Sequence, residues 1–241
     1  MRRVGILGGM GPEATILLMQ KVLEAVQAED DADHIPLLVD QNPQVPSRIR
    51  RLIEGTGDDP GPVLVEMAQR LVAGGAEALA MPCNTAHHYA PAIRASVAVP
   101  FLDMVELSVK KAVRLAGPDG RVGIIASPAV RRIGLFDAAF ASAGVQTLYP
   151  GDEAALLGAI RRIKMGERGE EPEARLKAAS QELLQNGAKV QMIACTEFSL
   201  LPGATAPGAA AFDTLDVLAE AIKDFATADS EKAVRRWVGA E

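Results

Sequence analysis

Short apolar runs alternate along the chain with longer segments whose apolar positions recur at the period of a helix. The apolar runs predict strands of a parallel sheet that is buried on both faces. The predicted strands are residues 4–7, 35–39, 78–81, 122–125, 145–148 and 190–194. The predicted helices are residues 13–26, 62–72, 85–96, 105–115, 131–143, 153–165, 172–186, 214–225 and 230–238. Alternation of strands and helices predicts an α/β fold.

The second half of the chain repeats features of the first half. VGILGG at residues 4–9 is similar to VGIIAS at 122–127, and ALAMPCNT at 78–85 is similar to VQMIACTE at 190–197. A duplicated α/β unit would place Cys83 and Cys195 at equivalent positions, where a strand ends and a helix begins. The carboxyl ends of strands are where open α/β sheets bind ligands.

The repeat and the turn signals together predict the domain organisation. A Gly-Pro-Asp-Gly turn at residues 117–120 marks a boundary. We therefore expect an N-terminal α/β domain at 1–117 and a C-terminal α/β domain at 118–209. Residues 210–241 are expected to form helices that pack back on the first domain.

Charge and composition exclude several classes of function. The chain has 241 residues and a net charge of -6, and its acidic and basic residues are interspersed, which offers no basic stripe for nucleic acid. The first apolar run is too short for a membrane span or a signal peptide, so a cytoplasmic protein is expected. Two cysteines and three histidines do not form a four-ligand metal site without carboxylates, and we predict no metal.

The glycine cluster GGMGPEA at residues 8–14 allows two hypotheses. Gly9, Gly11 and Ala14 fit the spacing of a dinucleotide-binding loop, and Asp40 could then bind a ribose in an NAD-dependent oxidoreductase. The repeat at 122–127 weakens this hypothesis, because a nucleotide loop has no reason to recur without its glycines. Glycines would also let backbone N–H groups approach a small carboxylate.

Each cysteine is expected at a helix N-terminus, where the helix dipole lowers a thiol pKa from about 8.5. Two such thiols that face each other would form a proton-transfer pair. The alternatives are a cysteine hydrolase with His87 or His88 as the base, a zinc site that adds both histidines to the cysteines, and cysteines buried as small apolar residues. No usual zinc-binding spacing supports the zinc site.

Two cations are candidates for binding an anion. Arg48 lies in the proline-rich QNPQVPSR segment, which predicts a loop at the carboxyl edge of the first sheet. Lys164 ends a predicted helix in IRRIKMG. A solvated surface charge explains Arg48 equally well, and a cation that completes the helix dipole explains Lys164.

Five motifs together resemble the aspartate racemase branch of the aspartate/glutamate racemase family. They are GGMGP at 8–12, NPQVPSR at 42–48, PCNTAH at 82–87, IKMG at 163–166 and ACTEFSLL at 194–201. The resemblance extends from about residue 2 to about residue 225. It implies two similar α/β domains related by a pseudo-two-fold axis, with the active site between them. It also implies racemisation by two opposed cysteines without pyridoxal phosphate or another cofactor.

The resemblance assigns roles to individual residues. Cys83 and Cys195 are similar to the two acid/base residues, and Arg48 and Lys164 to the pair that holds the substrate carboxylates. The other residues implied to bind substrate are Met10, Asn84, Thr85, Ser127, Thr196 and Glu197. The segment ASPAV at 126–130 departs from the family's ATxGT motif, and ACTE replaces the more usual GCTE.

We therefore expect interconversion of L-aspartate and D-aspartate by a homodimer, since relatives of this branch are commonly dimers. The alternatives within the family are a racemase of broader specificity, such as one for glutamate, and a related dicarboxylate isomerase. A non-catalytic amino-acid sensor is a third possibility, in which both cysteines would be dispensable.

Overall fold

A computed structural model describes residues 1–228 and contains two parallel four-stranded sheets. The first sheet has the order β2-β1-β3-β4 and the second has the order β6-β5-β7-β8. The strands are β1 (Val4–Gly8), β2 (Leu37–Gln41), β3 (Ala78–Ala80), β4 (Phe101–Leu102), β5 (Arg121–Ala126), β6 (Gln146–Leu148), β7 (Val190–Ala194) and β8 (Ala210–Asp213). The two sheets have the same order and the same parallel pairing, which confirms the predicted α/β fold with two similar halves.

Helices flank both sheets. They are α1 (Pro12–Glu24), α2 (Gly61–Ala73), α3 (Ala90–Ser96), α4 (Met104–Ala116), α5 (Pro128–Arg132), α6 (Asp137–Ser142), α7 (Glu153–Lys164), α8 (Glu170–Gln185) and α9 (Thr214–Thr227). Within residues 1–228, none of the helices is both long enough and apolar enough to cross a bilayer.

The sequence pattern missed the edge strands β4 and β8 and merged two helices. β4 has only two residues, and the first two residues of β8 are exposed alanines, so neither strand carries a clear apolar pattern. The helix predicted over 131–143 is divided into α5 and α6 by a turn at Gly134, whose φ is 60°. The helix predicted over 85–96 begins as a 3-10 turn, and the helix predicted over 230–238 lies outside the described residues.

The helices that follow the edge strands β4 and β8 cross to the other half of the molecule. Val109 and Ala112 of α4 pack in the apolar core of the second sheet. Leu218 and Ile222 of α9 pack in the core of the first sheet, beside α1. The two halves are therefore interlocked by a reciprocal exchange of helices, and this fixes the carboxyl ends of the two sheets relative to each other.

Candidate active site

A cavity of about 280 Å³ lies between the carboxyl ends of the two sheets. Its wall is formed by the loops that follow β1, β2, β3, β5 and β7, together with α7. The lining residues are Gly9, Met10, Gly11, Pro12, Pro43, Val45, Ser47, Arg48, Ile49, Cys83, Thr85, Ser127, Ile160, Lys164, Cys195 and Glu197. The cavity thus joins both cysteines and both candidate cations in a space that suits a small molecule.

The glycine cluster forms the loop between β1 and α1. Gly9 has a φ of 91°, and a Cβ placed there would lie 2.3 Å from the backbone carbon of Asn42, so only glycine fits. The Gly9 N–H donates to Thr15 Oγ1 at 2.9 Å. The expectation that this glycine presents its N–H to a carboxylate is therefore wrong for Gly9, because its N–H is already bonded inside the protein. Asp40, the acid of the oxidoreductase hypothesis, is paired with Arg70 at 2.8 Å.

Cys83 follows β3 and is buried, with 7% of its surface exposed. The buried His87, one turn further on, is bonded through both ring nitrogens: its Nδ1 lies 2.8 Å from the Cys83 carbonyl oxygen, and its Nε2 accepts the Met104 N–H at 3.2 Å. Burial lowers the pKa of His87, which keeps it neutral with the proton on Nδ1. His87 therefore binds backbone groups and is not a base for the thiol. His88 is exposed to solvent.

Cys195 follows β7, and its thiol donates to Glu197 Oε2 at 3.1 Å. Burial raises the pKa of the Cys195 thiol well above its ordinary value, and the negative charge of Glu197 raises it further. The expected lowering of the thiol pKa by a helix dipole is therefore wrong for Cys195. The helical turn that follows, Phe198–Leu200, is a single 3-10 turn, too short for a substantial dipole, and the carboxylate lies much closer.

Lys164, near the end of α7, forms an ion pair with Glu197 at the cavity wall. Burial lowers the pKa of Lys164, but the charge and hydrogen bond of Glu197 outweigh burial, so the net pKa is raised and the side chain is a cation. Gly11 borders this pair, since a Cβ at Gly11 would lie 3.9 Å from both the Lys164 Nζ and a Glu197 oxygen. Glu197 thus contacts both a cysteine and a cation of the cavity.

Arg48 begins a short helical segment after the proline-rich loop, at the cavity wall. Its Nη1 donates to the carbonyl oxygens of Val45 at 3.2 Å and Pro46 at 2.8 Å, which fixes the guanidinium. Its Nε is buried and has no hydrogen-bond partner among the described residues. A buried cationic donor without a partner, in the wall of a cavity, is suited to an anionic ligand.

The remaining predicted residues separate into two groups. Met10 lines the cavity, and so do Thr85 and Ser127, whose hydroxyl oxygens are 3.2 Å apart across the boundary between the halves. Asn84 and Thr196 are not among the described residues that line it, and their side chains are hydrogen-bonded elsewhere. Asn84 Oδ1 is buried without a partner in the described part of the chain.

Six lining residues were not predicted individually from the sequence: Pro12, Pro43, Val45, Ser47, Ile49 and Ile160. Val45 and Ser47 belong to the NPQVPSR motif, so the motif itself was the available signal. Ile160 lies on the buried face of α7, where its pattern is that of a core residue.

The chain is similar to known proteins over most of its length. The model of the Asp/Glu/hydantoin racemase family matches residues 7–222. A broad specificity amino-acid racemase, RacX of Bacillus subtilis (strain 168), is 33% identical over 112 residues, which are 45% of this chain and 48% of that protein. The matched stretch thus spans about half of the length of that relative.

Solved structures share the fold over nearly the whole chain. The aspartate racemase of Picrophilus torridus has a TM-score of 0.84 and 23% identity, covering 98% of this chain and 99% of its own. A putative Asp/Glu racemase from Yersinia pestis has a TM-score of 0.76 and 22% identity, covering 95% and 100%. With the family model matched from β1 to α9 and both cysteine motifs inside that match, the chain belongs to the Asp/Glu/hydantoin racemase family.

Proposed function

We propose that this protein racemises an acidic amino acid, aspartate in preference to others, by proton transfer between Cys83 and Cys195 without a cofactor. The observation that carries the proposal is the placement of two thiols and two cations around one small cavity. Racemisation requires a group on each face of the Cα atom, one to remove the proton and one to return a proton. Two cysteines contributed by matching loops of matching sheets meet that requirement.

The resting protonation state follows from the surroundings of Cys195. Its raised pKa and its hydrogen bond to Glu197 make it the proton donor, and the two-thiol mechanism then assigns removal of the Cα proton to Cys83. The Cα–H bond breaks, the proton moves to the Cys83 sulfur, and the Cys195 S–H bond breaks as its proton reaches the opposite face of Cα. For the reverse direction, the roles of the two cysteines exchange.

The cations stabilise the charge that develops during the reaction. When the Cα proton leaves, negative charge spreads onto the adjacent carboxylate. Arg48 and Lys164 are fixed cations at the cavity wall and bind the two carboxylates of the substrate, one of which receives that charge. A dicarboxylic substrate offers one carboxylate to each cation, whereas alanine offers a single carboxylate, and this is the reason for proposing an acidic amino acid.

The test is racemisation of L-aspartate followed by circular dichroism, without added cofactor. Cys83→Ala and Cys195→Ala are each expected to lower turnover by about 10²–10⁴-fold, the usual contribution of one acid/base group. Ser142→Ala, a similarly small change on an exposed helix, serves as the matched control. Wild-type turnover in either cysteine variant would refute the two-thiol mechanism, and aspartate binding without turnover in the wild type would favour a sensor.

Substrate preference is tested with L-aspartate, L-glutamate and L-alanine under the same conditions. We expect aspartate to react fastest, because the cavity is small and aspartate carries one carboxylate for each of the two cations. Similar kcat/KM for alanine would instead favour the broad specificity that the name of the Bacillus subtilis relative states. Homodimer formation, which the family resemblance implies, stays a prediction that light scattering can test.

A further inference from the structure

The residue that follows each cysteine is hydrogen-bonded toward the opposite half of the molecule. Thr196, directly after Cys195, donates from Oγ1 to the carbonyl oxygen of Pro82 at 3.2 Å. Pro82 directly precedes Cys83. A single hydrogen bond therefore connects the two loops that carry the thiols. Its donor and its acceptor each lie one residue away from a cysteine.

A second connection runs in the reverse direction. Asn84, directly after Cys83, donates from Nδ2 to Thr214 Oγ1 at 3.0 Å, and Thr214 Oγ1 donates to the carbonyl oxygen of Ile193 at 3.0 Å. Ile193 lies in β7, two residues before Cys195. Thr214 is the first residue of α9, the helix that crosses from the second sheet to the first.

We infer that these two connections, the reciprocal clasp of Thr196 with Pro82 and of Asn84 with Thr214, set the position of one thiol relative to the other. This inference rests on the proposed two-thiol function. It makes Thr196 and Thr214 positioning residues that act through the cysteine loops. The role differs from the substrate contact that the family resemblance implies for Thr196.

Burial makes the clasp a stronger constraint than exposed polar contacts between the halves. Thr196 and Asn84 are each 2% exposed and Thr214 is fully buried. A hydrogen bond lost there leaves a buried polar group unpaired, which costs far more than loss of a solvated bond. By contrast, Arg161 pairs with Glu54 at 3.1 Å at the surface, where water screens the attraction.

The clasp also explains why the same position after each cysteine carries a polar side chain. The loops after β3 and β7 follow strands of two different sheets, and within residues 1–228 no strand pairing joins those sheets. The relative position of the two sulfurs therefore depends on side-chain contacts and on the crossing helices. In catalysis, a misplacement of about 1 Å costs about 10²-fold in rate.

The test compares Thr→Val variants, which keep the shape of the side chain and remove the hydroxyl, with Thr→Ser variants, which keep the hydroxyl. Thr196→Val and Thr214→Val are each expected to lower kcat for aspartate by about 10- to 100-fold. The KM is expected to change by less than about threefold, and the primary isotope effect of Cα-deuterated aspartate should be fully expressed. Thr196→Ser and Thr214→Ser should recover most of the kcat.

A second readout does not require activity. Dibromobimane becomes fluorescent when it bridges two thiols that face each other, so its rate of bridging between Cys83 and Cys195 reports their alignment. We expect bridging to be slower in both valine variants and restored in both serine variants. Thermal unfolding of every variant identifies any variant that has failed to fold. If one valine variant fails to fold, its serine partner and the bridging rates of the other valine and serine pair test the inference.

The outcomes separate this inference from the proposed function. A higher KM with unchanged kcat in Thr196→Val would show a substrate contact and overturn the inference, as would valine variants that match their serine partners. If the cysteine-to-alanine variants retain turnover, the proposed function fails. The bridging rates would then still support or overturn the clasp as the element that aligns the two thiols.

Discussion

Asp213 gives the protein a dependence of stability on pH that can be calculated from the structure. It caps the N-terminus of α9, and its Oδ1 accepts hydrogen bonds from the Leu215 N–H at 2.8 Å and from Ser199 Oγ at 2.9 Å. Burial raises the pKa of Asp213 from 3.8 to about 6, because these hydrogen bonds only partly compensate for the lost hydration. The change to test is Asp213→Asn, which keeps the capping oxygen and removes the titration.

The direction in which stability changes with pH follows from proton binding. Because the folded pKa is raised, the folded protein holds the Asp213 proton more tightly than the unfolded chain. The resulting stabilisation is complete below about pH 4 and is lost as the pH rises through 6. A shift of about 2 units corresponds to about 3 kcal/mol in the free energy of unfolding. At about 2–4 °C per kcal/mol for a chain of this size, that is about 6–12 °C in Tm.

The assay is thermal unfolding of wild type and Asp213→Asn at a series of pH values from about 4 to 7. The Tm of the variant minus that of the wild type should increase by about 6–12 °C across this range. Asp152→Asn, at an exposed capping aspartate of α7, controls for the general loss of a carboxylate. A Tm difference between Asp213→Asn and wild type that stays constant with pH would refute the argument. So would an equal pH-dependent difference in Asp152→Asn.

Three further predictions concern the cavity. Glu197→Gln should lower the pKa of the Cys195 thiol, because the substitution removes a negative charge that raises this pKa. Thiolate absorbance near 240 nm, recorded against pH, measures the change. An unchanged titration would contradict the prediction. Arg48→Lys should raise the KM for aspartate by about 10-fold or more, since lysine lacks the fixed planar fork, and steady-state kinetics test it; an unchanged KM would remove Arg48 from substrate binding. Gly9→Ala should lower Tm by several degrees, because the added Cβ would overlap the backbone of Asn42. Gly11→Ala is the matched control, since a Cβ there meets nothing closer than 3.9 Å. Equal losses of Tm in the two variants would contradict the steric argument.

The local sequence determined which elements form and where the chemistry lies along the chain. The apolar pattern alone separated six of the eight strands from the helices, because buried parallel strands are short continuous apolar runs. The repeat around Cys83 and Cys195 placed both thiols after equivalent strands, and the structure puts both at one cavity. The edge strands β4 and β8 escaped detection because each has few residues and little apolar contrast.

The tertiary structure decided how the chemical groups interact. The pKa of Cys195 depends on burial and on the orientation of the Glu197 carboxylate, and no sequence pattern specifies either. Thr196 bonds to Pro82, 114 residues away along the chain, and Thr214 to Asn84, 130 residues away, so these hydrogen bonds exist only after the halves have packed. Strand and helix periodicity is a local property that a sequence displays directly. Charge, burial and hydrogen bonding at this cavity arise from the contact of two separately built sheets, and their physical cause is the packing between them.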